Sequence, residues 1–152
     1  MQTFDRPRSS LVRAGTAILA AAFLSASAFA QVPRTPAPEN ASVYFIEPAD
    51  GATITGPVRV VMGLRNLGVA PAGADLPNTG HHHILVNVSE FPPMDAPLPA
   101  TDQVRHFGGG QTETMLELPA GTHTLQLLVG DHNHIPHDPP IISERITITV
   151  SP

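Results

Sequence analysis

The sequence predicts an all-β fold, namely a small immunoglobulin-like Greek-key β-sandwich of about seven strands that follows a cleaved signal peptide. Two observations support this fold class. Short runs rich in β-branched and aromatic residues are separated by turn residues, and glycine or proline occurs at nearly every junction, as in Asp50-Gly51 and Pro139-Pro140. No segment of the chain combines a sustained helical period with helix caps. Seven such runs with Greek-key connections fit the immunoglobulin-like plan.

The predicted strands follow one another from Ser42 to Val150. The fourth is the least regular, and long irregular loops precede the third strand and follow it, over residues 66–79 and 89–102. In chain order the seven predicted strands are Ser42–Ile46, Pro57–Leu64, His81–Val88, Gln103–Phe107, Thr112–Leu118, Thr122–Gly130 and Ser143–Val150.

The N-terminal region has the features of an export signal. Arg6, Arg8 and Arg13 precede an apolar run from Ala14 to Phe29, and a small-x-small cleavage motif ends at Ala30. The next residues are rich in proline and lack an apolar period, which is typical of an extended linker. We therefore expect an exported protein, in the periplasm or outside the cell, with three parts: a signal peptide (1–30), a proline-rich linker (31–41) and a β-sandwich domain (42–152).

Composition excludes several function classes. Without the predicted signal peptide, five arginines face twelve carboxylates, because three of the eight basic residues and one of the thirteen acidic residues lie before residue 31. The resulting net charge of −7 argues against nucleic acid as a partner, and we expect no membrane insertion of the mature chain. The chain has no cysteine, which excludes disulfides, thiolate catalysis and thiolate metal sites.

Histidines are the main indication of function. All eight lie between His81 and His137, mostly in the stretches GHHHILVN and GDHNHIPHDPP. In an immunoglobulin-like topology the loops that carry or border seven of these histidines emerge at one end of the sandwich. Only His123, at the start of the sixth predicted strand, falls at the other end, where we expect a structural role.

Strand alternation predicts where the side chains point. If Ile84, Val86 and Val88 face the core, then His81 and His83 point outward and His82 inward. If Leu125, Leu127 and Val129 face the core, continued alternation also points His132 and His134 outward. Because the third and sixth predicted strands are neighbours, the two His-x-His pairs are expected to meet across one sheet.

Clustered imidazoles without thiolates are typical ligands of Cu(II) or Zn(II). We therefore expect a transition-metal site and no organic cofactor, with the metal ion as a partner and another exported protein as a further candidate partner. No residue is assigned a catalytic role. The candidate metal ligands are His81, His83, His106, His134 and His137, with His82, His132 and Asp131 as further candidates, the last as a ligand or as an acceptor that orients an imidazole.

The motifs GHHHILVN, HFGGGQTE, LPAGTHTLQLLVGDHNHIPHDPP and SERITITV together resemble a bacterial exported family known as domain of unknown function 4399. The resemblance extends from about Ile46 to Val150. It implies a small exported domain of undetermined activity. The family's motif GD-x-x-H-x-P-H is matched by His134 and His137, whereas His132 occupies a variable position. The resemblance therefore favours six histidines as site residues: His81, His82, His83, His106, His134 and His137.

Three functions remain open at this point. The first is a noncatalytic module that binds copper or zinc for buffering, sensing or delivery. The second is a metal-dependent enzyme, for instance a redox centre. The third is an adhesive or scaffold domain whose histidines form a structural or pH-responsive cluster. Metal uptake distinguishes the first two from the third, and turnover distinguishes the second from the first.

Overall fold

The computed structural model of the protein describes residue 2 and residues 33–152. The predicted signal peptide therefore lies, apart from residue 2, outside the described residues. Residues 33–152 belong to one compact unit, Gln31–Pro152. Within the described residues all regular structure is β, as predicted. In this same part of the chain no helix has the length and hydropathy that a membrane span requires.

The strands number nine in the described residues, because two short ones join the seven predicted. In chain order they are β1 (Ser42–Glu47), β2 (Thr53–Thr55), β3 (Val58–Arg65), β4 (Gly68–Val69), β5 (Thr79–Val86), β6 (Val104–His106), β7 (Glu113–Leu116), β8 (Gly121–Gly130) and β9 (Ile146–Ser151).

Two sheets form the sandwich. One has three antiparallel strands in the order β1-β3-β7, and the other has the order β2-β9-β8-β5-β4, with β6 also paired to β5. Most pairs are antiparallel, but β2 pairs with β9 and β4 pairs with β5 in parallel. This arrangement confirms an all-β sandwich with strand order of the immunoglobulin-like kind.

The main core lies between the two sheets. It contains the alternating inward residues of β3, β5, β8 and β9, whose side chains are almost fully buried. A second, smaller cluster of Leu85, Leu98, Val104 and Leu128 lies on the other face of β5 and β8. The long loop between β5 and β6 therefore covers the outer face of the larger sheet and gives β5 two buried faces.

The structure differs from the predicted strand pattern at several places, among them a last strand that begins at Ile146 and not at Ser143. The fourth predicted strand shortens to β6 and pairs with β5, where Val104 lies opposite Leu85 in the outer cluster. Val88 packs against that outer cluster and not against the main core, because Asn87 has a positive φ of 54° and ends the alternation of β5. The extra strands β2 and β4 have only three and two residues, too few for a visible sequence period.

Part of the segment predicted as a linker is packed against the domain. The backbone NH of Ala37 donates to the carbonyl of Asp138 at 2.8 Å, and the NH of Asp138 donates to the carbonyl of Thr35 at 2.9 Å. Pro36 and Asp138 form a parallel bridge. Residues 35–37 of this segment therefore lie along the loop that follows β8.

Candidate metal centre

Four imidazole rings meet on the outer face of the larger sheet. These are His81 and His83 of β5, His106 of β6 and His134 of the loop after β8, and we call them the histidine tetrad. Their six pairs of ring centroids are 4.7 to 6.4 Å apart. One ring nitrogen from each of His81, His83 and His106 lies within 4.8 Å of the other two, close enough to hold one metal ion.

Strand register brings three of the four rings together. Ile84 and Val86 face the main core, so the alternation of β5 places His81 and His83 on the opposite face, as predicted. On one side of β5, His106 of β6 lies directly opposite His83. On the other side, Gly130 of β8 lies opposite His81. The end of β8 therefore delivers the next loop to the same patch.

His134 reaches the tetrad through a turn and not through continued strand alternation. Its φ is +66°, a left-handed conformation, and its NH donates to the carbonyl of Asp131 at 2.9 Å. The carboxylate of Asp131 accepts hydrogen bonds from the backbone NH groups of Asn133 and Ile135 at 2.8 and 3.0 Å. The NH of Leu98 donates to the carbonyl of His134 at 2.9 Å. The long loop after β5 thus helps to hold the fourth ring.

Two glycines leave space for tetrad rings. A Cβ atom at Gly130 would lie 2.8 Å from Cε1 of His83, and a Cβ at Gly108 would overlap the ring of His106. Neither glycine carries a positive φ, so each is needed for space and not for backbone conformation. The sequence alone gives no sign of this role, because only the folded structure shows the neighbouring ring.

Burial within the tetrad is uneven. His81 and His83 are fully buried, His134 is partly buried, and His106 is the most accessible of the four. Burial, together with repulsion from His134 and His106, lowers the pKa of His81 to about 4. Burial, together with repulsion from His81, His106 and His134, lowers the pKa of His83 to about 3. Burial, and then His134, also lowers the pKa of His106. The buried imidazoles are therefore neutral at pH 7, the form that binds metals.

The ring nitrogens of His81 and His83 are buried and have no hydrogen-bond partner in the described part of the chain. Buried polar atoms are almost always hydrogen-bonded, and an unpaired one costs about 1 to 3 kcal/mol. Four such atoms side by side thus need a ligand, such as an ion or water, to be satisfied.

The dimensions of the tetrad fit a metal ion after a small contraction. If each nitrogen lies about 2.1 Å from the ion, two donors are at most about 4.2 Å apart and the centroids of tetrahedrally arranged rings are about 5 Å apart. Nearly all the observed centroid distances are close to that value, and only the pair His83 and His134, at 6.4 Å, is clearly longer. The group of nitrogens that lie within 4.8 Å of one another comprises His81, His83 and His106 and leaves out His134, so the fourth ring would have to move to complete the site.

His137 and His82 lie away from the tetrad, on the core side of β5. The Cε1 atom of His137 is 3.1 Å from the point where a Cβ of Gly80 would be, and Gly80 alternates with His81. Both rings are fully buried and make no hydrogen bond of ordinary geometry. A backbone group of Gln111 favours the protonated form of His82. Backbone groups of Val129 and Thr79 favour the protonated form of His137. Burial is the larger effect and lowers both pKa values. We leave both outside the proposed ligand set.

The remaining candidates have other partners. His132 is partly exposed and lies 3.5 Å from the carboxylate of Asp75, while its second nitrogen is 2.8 Å from the side-chain amide of Asn133. Asp131 is 1% exposed, and its carboxylate is used by loop NH groups and by the hydroxyl of Thr35. The negative charge of Asp131 favours the protonated form of His81, but burial has the larger effect and lowers the pKa of His81. Asp131 is thus placed to organise the loop.

His123 occupies a different environment, at the start of β8. One ring nitrogen is 2.8 Å from the carbonyl of Pro119 and the other is 2.9 Å from the side-chain nitrogen of Asn87. The side-chain carbonyl of Asn87 in turn accepts the NH of Thr124 at 2.9 Å. These contacts are those of a satisfied structural histidine, and the role itself stays a prediction.

Comparison with solved structures gives a weak likeness. An endo-beta-1,4-mannanase from Thermotoga petrophila is 20% identical, and the match covers 73% of this chain but 20% of that chain, with a TM-score of 0.44. The chain therefore corresponds to about a fifth of that protein, and this likeness carries no inference about activity. No curated protein matches the chain.

A protein-family match is far more specific. The family described as "Domain of unknown function (DUF4399)" matches residues 60–151, a range that begins within β3 and holds β4 to β9 and all four tetrad histidines. This confirms the resemblance seen in the histidine motifs. The chain therefore belongs to the DUF4399 family.

Proposed function

We propose that the protein binds one Cu(II) or Zn(II) ion through His81, His83, His106 and His134, and that it buffers, senses or delivers this metal outside the cytoplasm. The observation that carries the proposal is the convergence of four imidazoles, two of them fully buried with unpartnered nitrogens. Burial lowers the pKa values of His81 and His83, so protons compete weakly for their nitrogens at neutral pH.

The donor set favours copper or zinc over harder ions. Four neutral imidazoles offer nitrogen only, whereas magnesium and calcium require oxygen ligands. In the usual order of divalent affinities Cu(II) exceeds Zn(II), so we expect Cu(II) to displace Zn(II) when both are present. His106 faces solvent, and this exposure gives an ion a path into the site.

The predicted signal peptide supports export, which is part of this proposal. A site without thiolates suits an oxidising compartment, since imidazoles are not consumed by oxidation as cysteines are. A noncatalytic carrier would exchange its metal with another exported protein, and we expect no nucleic-acid partner.

Titration calorimetry of the mature, tag-free protein tests this function. We expect saturation near one ion per chain for Cu(II) and for Zn(II). His134→Ala and His83→Ala should each weaken metal binding. The loss of binding free energy in the double variant should be smaller than the sum of the two single losses, because one lost ligand already disables the shared site. His132→Ala is the matched control, since it removes a histidine of the same loop that lies outside the tetrad. Affinity no better than millimolar for both ions would refute the proposal.

A metal-dependent enzyme is the second candidate, and the exposure of His106 favours it. Catalytic metal sites keep a coordination position open to solvent or substrate, whereas structural sites are closed. Turnover that appears on metal addition and disappears in His106→Ala would favour this function. Metal binding with no turnover across redox and hydrolytic substrates would favour the carrier.

A pH-responsive cluster without metal is the third candidate. The lowered pKa values of His81 and His83 would make it respond to acid far below the usual range of histidine. Failure to take up metal, combined with a reversible structural transition in acid, would favour this reading over both metal functions.

A further inference from the structure

The N-terminal segment from Arg34 to Ala37, which we call the strap, lies against the loop that carries His134. The guanidinium of Arg34 donates to the carbonyl of Pro136 at 3.1 Å and also to the carbonyl of His137. It pairs with the carboxylate of Asp138 at 3.1 Å. These contacts span about a hundred residues of sequence and fix the far end of the loop.

A single side-chain contact connects the strap to the organiser of the loop. The hydroxyl of Thr35 donates to Oδ2 of Asp131 at 2.7 Å. The other carboxylate oxygen, Oδ1, accepts the NH groups of Asn133 and Ile135. Asp131 is almost fully buried, so its charge depends on these donors for stabilisation.

The loop needs this support because His134 is in an uncommon conformation. A positive φ is unfavourable for a residue with a side chain, and the surroundings must impose it. The turn is closed by the bonds from His134 NH to Asp131 and from Asp131 NH to the carbonyl of Ile135. A shift of Asp131 would therefore move the ring of His134.

We propose that the strap positions His134 for metal binding, with Thr35 as a positioning residue that acts through Asp131. This inference rests on the proposed metal site and adds a control element to it. Thr35 touches no metal, but its hydroxyl fixes the carboxylate that shapes the turn. The segment just after the predicted cleavage site thereby becomes part of the metal site's support.

Conservative variants of Thr35 in the full mature chain test the inference with Cu(II) as the probe. Thr35→Val keeps the shape but removes the hydroxyl, and we expect Cu(II) affinity to fall about tenfold, as for other outer-shell partners of metal ligands. Thr35→Ser restores the hydroxyl and should restore the affinity. Thr55→Val on β2 is the matched control and should bind as the wild type does.

A double variant separates positioning from general destabilisation. In the His134→Ala background, Thr35→Val should change Cu(II) affinity less than about twofold, because the residue that it positions is already gone. The electron paramagnetic resonance spectrum of Thr35→Val should shift toward that of His134→Ala. Equal losses in both backgrounds, or a wild-type spectrum and affinity in Thr35→Val, would overturn the inference.

Amide hydrogen exchange provides a measurement that needs no metal. Thr35→Val should speed exchange at Asn133 and Ile135, whose NH groups bind Asp131, and leave β5 unchanged. If the wild type bound neither Cu(II) nor Zn(II), the proposed function would fail. The exchange result would still show whether the strap holds the loop, and unchanged exchange would refute the strap's role by itself.

Discussion

Two histidine environments lie at opposite ends of β8, and they differ in how their nitrogens are satisfied. His123, near the start of the strand, has a protein partner for each ring nitrogen. At the far end, Gly130 of β8 pairs with His81 of β5, and seven residues of strand separate Gly130 from His123 by about 23 Å. There the ring nitrogens of His81 and His83 have no hydrogen-bond partner among the described residues. The difference teaches that burial alone does not reveal a binding site. His82 and His137 are also buried without partners in this part of the chain, so it is the convergence of several unpartnered imidazoles, as in the tetrad, that marks a candidate binding site.

Removing a tetrad ring should have the largest effect. Loss of a residue that only supports a metal ligand weakens binding by about 10- to 100-fold. His83→Ala removes a ligand itself, so it should weaken Cu(II) binding by more than about 100-fold. Calorimetry or competition with a chelator measures this loss, and His123→Ala serves as the control from the other end of β8. Comparable losses in both variants would remove the contrast between the two environments.

Acid should destabilise the metal-free protein because His81 and His83 of the tetrad take up protons more readily when the chain is unfolded. Unfolded imidazoles have a pKa near 6.5, whereas burial lowers the pKa of His81 to about 4 and of His83 to about 3 in the folded protein. Between these values the unfolded chain binds more protons, so the free energy of unfolding should fall as the pH decreases from about 6.5 toward 3. Urea unfolding at several pH values measures the slope.

The matched variant for this pH dependence is His83→Phe, which fills the buried space without titrating. Its unfolding free energy should depend less steeply on pH than that of the wild type. Bound metal should also delay the acid transition, because the ion competes with protons for the same nitrogens. An identical slope in His83→Phe would mean that the buried ring contributes nothing to the acid response.

His123 should matter for stability and not for metal. His123→Ala leaves the carbonyl of Pro119 and the amide of Asn87 without their partner, and a lost buried hydrogen-bond partner costs about 1 to 3 kcal/mol. We expect a lower Tm with unchanged metal stoichiometry. Normal stability with lost metal would reverse the roles assigned to the two ends.

The smallest effect should come from a glycine that makes room for a ring. Gly108→Ala keeps every histidine but pushes its Cβ into the ring of His106, so we expect Cu(II) affinity to fall about tenfold, as for other supporting groups. Gly109→Ala is the control, because the atoms nearest to its Cβ would belong to the flexible side chain of Gln111 and not to a tetrad ring. Equal affinity in the two variants would show that the ring of His106 adapts freely.

Regular strands made much of this arrangement predictable from sequence. The period of two in β5 and β8 correctly assigns Ile84, Val86, Leu125, Leu127 and Val129 to the core. The same period places His81 and His83 on the other face. Alternation is a local property of the backbone, so it can be read without knowledge of the partner strands.

Loops were less predictable, because distant contacts decide their shape. The turn at His134 depends on Asp131, and Asp131 depends on Thr35, which lies 96 residues away. His137 matches the family motif as well as His134 does, yet its ring lies beside Gly80 on the core face. Sequence spacing gives both residues equal weight, and only the folded loop separates them.

The tetrad draws its members from β5, β6 and the loop after β8, which are far apart along a chain that has no cysteine. An ion held by all four rings would therefore cross-link three segments, much as a disulfide does in small secreted domains. Such a cross-link is reversible and depends on supply, because stability rises with the concentration of a ligand that binds only the folded state. The lifetime of this domain against proteases would then report how much metal its compartment contains.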